Sequence, residues 1–74
     1  MNISEQKAEF MINLMTAKVA ELLAAKGGKS ITASMSEFMT TKTFALLFLP
    51  GSYLYLESPE YILDMLEAER WLEV

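Results

Sequence analysis

The chain has 74 residues, a net charge of −4 and 53% hydrophobic residues, with neither Cys nor His. A domain of this length lies near the size at which one core supplies only about 3 to 5 kcal/mol. The missing residue types exclude a disulfide and leave any zinc or copper site to carboxylates, against the usual ligand preference of those metals. The apolar share and the mean hydropathy of +0.25 run above the usual composition of a globular domain, so part of the apolar surface is expected to meet another chain.

The start, Met1-Asn2-Ile3-Ser4-Glu5, has neither a basic segment nor an apolar core, and no secretory signal is expected. Ser4 suits an N-cap, and Glu5 suits the positive end of a helix dipole. Nothing then breaks a helix from Glu5 to Lys26. At about 100° per residue, Ala8, Met11, Ile12, Met15, Val19, Leu22 and Leu23 share one face, which is expected to enter the core. Gly27-Gly28 offers a left-handed C-terminal cap, with Lys26 and Lys29 at the negative end.

Phe10, Leu14 and Ala17 lie off that face and form a second stripe. Either another helix of the same chain wraps round to cover it, or it is a seam for a partner helix.

Ser30 can cap a second helix, in which Ile31, Met35, Phe38 and Met39 fall within a narrow arc. The hydroxyl-rich Thr40-Thr41-Lys42-Thr43 ends that helix, and Thr41 caps a short third one over Lys42 to Phe48. The run Phe44-Ala45-Leu46-Leu47-Phe48-Leu49 has no polar side-chain atom. It is expected to be buried, as the hub on which the two long helices pack. Residues 43–56 admit a rival reading as a β-hairpin about Pro50-Gly51-Ser52, because short apolar runs cannot be assigned by period alone. Leu, Ala and Lys in the first arm favour helix, while Tyr53-Leu54-Tyr55-Leu56 favours an extended segment crossing it.

Ser58-Pro59-Glu60 combines a capping hydroxyl, proline at the first helical position and an acid in the first turn, so a last helix starts at Pro59. Its expected core face is Tyr61, Ile62, Met65, Leu66, Ala68 and Leu72. Glu69 intrudes on that arc, either beyond the edge of the core or paired with a Lys of the first helix. Trp71 faces the other way, as a binding candidate or folded onto the loop before Pro59.

Few constellations carry chemistry. Gly27-Gly28-Lys29-Ser30 has the outline of a phosphate-loop tail, but Leu23 stands where that motif needs its first glycine, and a helix precedes it instead of a strand. A serine nucleophile would have only Lys42 as base. Glu57 with Glu60 and Asp64 with Glu67 read as a solvated acidic face and not as an acid–base pair in a cleft. No catalytic residue, cofactor site or metal site is assigned, and no enzyme activity is expected.

Residues 1–43 carry +1 and residues 44–74 carry −5, a balance that disfavours nucleic acid. A helix-turn-helix outline over the second and third helices is the alternative, a DNA-associated regulator, although Phe44 to Leu49 has no side chain able to donate to a base edge. The longest apolar stretch, Thr43 to Leu56, is interrupted by Pro50-Gly51-Ser52 and falls short of the ~20 residues of a membrane helix. No membrane contact and a cytoplasmic location are expected.

Phe38-Met39, Lys42-Thr43 with Leu46-Leu47, and Leu54-Tyr55-Leu56-Glu57-Ser58-Pro59-Glu60-Tyr61 resemble a group of short uncharacterised bacterial proteins classed as domains of unknown function. The resemblance implies a cytoplasmic bacterial origin and an all-helical tendency, but no activity. Some short families of this kind sit beside toxin genes, which brings an antitoxin or accessory subunit into view.

The expectation is therefore one all-α domain, a small bundle of two long and two short helices with an extended segment before the last. It would act as a protein-interaction module and homodimer, or as an accessory subunit for a protein partner, with Phe10, Leu14, Ala17 and Trp71 as contact residues.

Overall fold

Among the described residues there are four helices and one 3-10 turn, and each helix begins or ends where local chemistry directs. A computed structural model describes residues 5–72, with side chains for residues 6–70; the Ser4 cap, the Trp71 side chain and that of Leu72 lie outside this range. Helix α1 spans Glu5–Gly27, α2 Ile31–Met39, α3 Lys42–Leu47 and α4 Pro59–Leu72, with a 3-10 turn at Leu54–Leu56 between α3 and α4. There is no strand among the described residues, so residues 43–56 do not form a hairpin. The architecture is a small all-α bundle.

The caps follow the local sequence. Gly28 takes φ +66°, and the N–H groups of Gly28 and Lys29 both donate to the Ala24 carbonyl, at 2.9 and 3.3 Å. This left-handed residue satisfies a carbonyl that the end of α1 would leave unpaired. Ser30 Oγ accepts from Ala33 N, Thr41 Oγ1 from Phe44 N and Ser58 Oγ from Tyr61 N, each at 3.1 Å. Helices α2, α3 and α4 thus start on a hydroxyl N-cap.

Helix α1 is the axis of the bundle. Its 23 residues span about 34 Å, most of the 38 Å long dimension of the domain, and α2, α4 and the 3-10 turn all pack on it. Ile12, Met15, Val19, Ala20 and Leu23 are buried, joined by Phe38, Leu47, Ile62, Leu63 and Leu66. Met11 and Leu22 stay half-buried. Thr16 is buried as well, and its hydroxyl donates to the Ile12 carbonyl at 2.8 Å, which meets its hydrogen-bonding need within the helix.

The run Phe44–Leu49 is not the hub. Leu47 is 1% exposed, but Phe48 and Leu49 are 52% and 56% exposed, Leu46 is exposed, and Phe44 is half-buried. A six-residue helix presents one face to the bundle, so a run that is apolar all round leaves its other side chains outside. The segment after it is not extended either. Tyr53 adopts φ 51° in the left-handed region, and Leu54–Leu56 coils into the 3-10 turn.

Helices α2 and α4 are rotated from the expected faces. On α2 the buried residues are Ser34 and Phe38, whereas Ile31 and Met39 are exposed. On α4, Ile62, Leu63 and Leu66 are buried while Tyr61 and Ala68 are exposed. Glu69 neither overhangs the core nor pairs with α1. Its carboxylate accepts from Lys42 N at 3.0 Å, and from Thr43 N and the Thr43 hydroxyl at 2.7 Å each, closing the N-terminus of α3.

Candidate functional site

Among the described residues, besides the single exposed side chains Ile31, Met39 and Tyr61, two apolar surfaces remain outside the core. The first is the stripe on α1: Phe10 is 67% and Leu14 45% exposed, and Ala17 is half-buried. No other described helix covers them, because the buried arc of α1 lies on the opposite side. Beside Leu14 runs a shallow cleft of about 120 Å³ lined by Met11, Met15, Lys18, Tyr55, Glu57 and Pro59. It is too small for the ~300 Å³ or more of a typical ligand pocket.

The second surface is the corner formed by the end of α3 and the 3-10 turn, where Leu46, Phe48, Leu49, Tyr53 and Leu56 are all exposed. An aromatic ladder leads to it from the core. The ring of buried Phe38 meets Phe44 edge-on at 5.4 Å, and Phe44 meets Phe48 edge-on at 5.1 Å. Tyr53 and Tyr55 form a further edge-on pair at 6.2 Å. Since Tyr55 also lines the cleft beside Leu14, the aromatic pair reaches from the corner towards the α1 stripe. The apolar composition of Phe44–Leu49 predicts burial of the whole run, with Tyr53–Leu56 extended across it, whereas Leu46, Phe48, Leu49, Tyr53 and Leu56 all face outward.

A polar cluster lies at the other end of α1. Lys26 Nζ pairs with Glu67 Oε1 at 2.5 Å, Lys29 Nζ with Glu37 Oε2 at 2.7 Å, and the Arg70 guanidinium with the other oxygen of Glu37. Leu23 and these residues line a cleft of about 140 Å³. The hydrogen bond from Lys29 holds the Glu37 carboxyl below its usual range; partial desolvation opposes it, and the Arg70 charge assists it. This end ties α1, α2 and α4 together by charge. The glycine-lysine-serine segment is punctuation: Gly28 closes α1, Lys29 reaches Glu37 and Ser30 caps α2.

The other expected groups do not converge on a reaction centre. Glu57, Glu60 and Asp64 are exposed, and Glu67 is engaged with Lys26. Thr43, in the helix-turn-helix outline, is buried with its hydroxyl donated to Glu69. Among the described residues no three acids gather as a metal-holding cluster, and no helix is long and apolar enough to cross a membrane.

What the fold and its surface define is a small all-α domain with two exposed apolar surfaces. Comparison of the chain with family models, with curated proteins and with solved structures finds no match.

Proposed function

We propose that this domain is a protein-interaction module, acting by self-association or as an accessory, antitoxin-like subunit of a bacterial cytoplasmic complex. The observation that carries this reading is the exposure of the most apolar run in the chain at the α3 corner, together with Phe10 and Leu14 on α1. Exposed apolar surface of this kind marks an interaction site when it is contiguous, and large aromatic side chains are the usual anchors of such sites. The polar groups of the domain support the same reading. Ser30, Thr41 and Ser58 are spent on caps, and Lys26, Lys29, Glu37, Glu67, Glu69 and Arg70 on ties between helices.

The test is site-specific photo-crosslinking in the living host, with a photoreactive amino acid placed in turn at Phe10, Phe48 and the solvated control Asp64. Discrete covalent adducts from Phe10 or Phe48, and none from Asp64, are the expected result. An absence of adducts at both apolar positions would sink the reading.

A further inference from the structure

Past Leu66, helix α4 is held in a different way. Ile62, Leu63 and Leu66 are buried in the core, whereas none of the side chains from Glu67 to Arg70 is buried. These positions make up about one helical turn, and that turn reaches α1, α2 and α3 by polar ties. Glu67 pairs with Lys26 of α1, Glu69 accepts from Lys42 N and Thr43 N at the start of α3, and Arg70 pairs with Glu37 of α2.

We infer that this turn is an electrostatic clasp, which opens as one unit while the rest of the bundle stays folded and, in opening, releases the start of α3. Glu69 and Arg70 are adjacent in the chain but bind different helices, so lifting the turn off α3 also takes it off α2. Both oxygens of Glu69 are held by successive backbone N–H groups, which leaves that side chain little freedom to depart by itself. The remaining ties are open to solvent: the paired side chains are 62% and 41% exposed at Lys26 and Glu67, and 44% and 34% at Arg70 and Glu37. Exposed ion pairs are weak, and the turn withdraws no buried side chain when it lifts, so it separates more readily than the core beneath it.

The six-residue α3 has no acid in its own first turn, and its far end carries the exposed apolar corner. A partner that needs this corner in place therefore closes the clasp by mass action. That use rests on the reading of the domain as an interaction module, whereas the clasp rests on the ties alone.

Hydrogen exchange of the full chain, followed amide by amide, reads the opening. In the native chain the Lys42 and Thr43 amides are expected to exchange roughly tenfold or more faster than the Val19 amide in the middle of α1, because the clasp opens without the bundle. R70Q alters a contact with α2 and leaves Glu37 paired with Lys29. It should nevertheless speed exchange at Lys42 and Thr43 about two- to fivefold, the worth of an exposed ion pair. E69Q removes the α3 contact directly and should speed the same amides at least as much. Raising NaCl from about 0.1 M to about 1 M, which cuts the reach of charge from about 10 Å to about 3 Å, should speed them in the native chain and less so in R70Q.

If R70Q leaves Lys42 and Thr43 unchanged, the ties act singly and the clasp is overturned. Exchange there as slow as at Val19 also overturns it, since the turn then leaves only with the whole bundle. An absent salt response overturns its electrostatic character. None of these results touches the photo-adducts at Phe10 and Phe48, which decide the interaction-module reading separately.

Discussion

Glu69 and Thr43 are joined twice: one carboxylate oxygen of Glu69 accepts from both the backbone N–H and the hydroxyl of Thr43, at 2.7 Å each. The second oxygen takes the Lys42 N–H at 3.0 Å. An acid from α4 thus supplies the N-terminus of α3 with the negative charge that its own first turn lacks, in the position where the helix dipole favours it. The arrangement positions the exposed corner, because α3 is too short to hold itself in place.

Replacing Glu69 by Gln removes the charge and one of the two acceptor oxygens, so that at least one donor of the α3 terminus loses its partner. A loss of about 1–2 kcal/mol is expected from urea denaturation. Thr43→Val, which keeps the buried shape but removes the hydroxyl donor, should cost about 1 kcal/mol. The double variant should cost less than the two single losses together, since both remove the same contact.

The same contact makes stability depend on acid. Partial burial acts to raise the Glu69 pKa, but the hydrogen bond from the Thr43 hydroxyl and those from the two backbone N–H groups outweigh it and hold the carboxyl below its ordinary value of 4.5. The folded carboxyl therefore releases its proton more readily than the unfolded one. Its contribution is complete above the unfolded pKa and disappears as pH falls through the lower folded value. Glu37 behaves in the same direction through Lys29 and Arg70. Thermal melts stepped downwards from pH 6 should show a steeper loss of stability below about pH 4.5 in the native chain than in Glu69→Gln.

Ser34 is fully buried, and its hydroxyl has no hydrogen-bond partner among the described residues. Ser34→Ala removes an unsatisfied polar group and improves helix propensity, so a gain of about 1 kcal/mol in chemical denaturation is expected. Ser34→Leu, in the same tightly packed place, should instead lose about 1–3 kcal/mol. A large loss on Ser34→Ala would mean that the hydroxyl is engaged after all.

The two glycines at the end of α1 should respond oppositely to alanine. Gly27 is helical, and a methyl there meets only the Lys29 side chain at an ordinary 3.8 Å, so Gly27→Ala should stabilise by about 0.5 kcal/mol. Gly28, at φ +66°, sits where a side chain is strained, and Gly28→Ala should cost about 1 kcal/mol. Melting temperatures of the pair, measured together, separate the two effects.

Within the apolar run, only one leucine should matter to the fold. Leu47→Ala empties a fully buried site and should cost about 2–5 kcal/mol. Leu49→Ala, more than half exposed, should change stability by less than about 0.5 kcal/mol. Equal losses at both positions would restore the run to the core.

Local chemistry alone determined where the helices lie. Ser30, Thr41 and Ser58 announce their caps, Gly28 its left-handed stop and Pro59 its first turn, because each acts on backbone atoms within a few residues and needs no distant partner. The long face of α1 was legible for the same reason, as its period is carried by many residues. The second stripe, Phe10-Leu14-Ala17, was legible as a remainder of that face. What only the tertiary structure decided was which apolar residues the core could take. A short helix that is apolar all round buries whichever side meets its neighbours, and α3 turned Leu47 inward while leaving Phe48 and Leu49 outside. The rotation of α2 onto Ser34 and of α4 onto Leu63 followed from that packing, and so did the fate of Glu69. Its partner lies 26 residues away, at a helix end that Thr41 marks in the local sequence but whose meeting with α4 is made only in space.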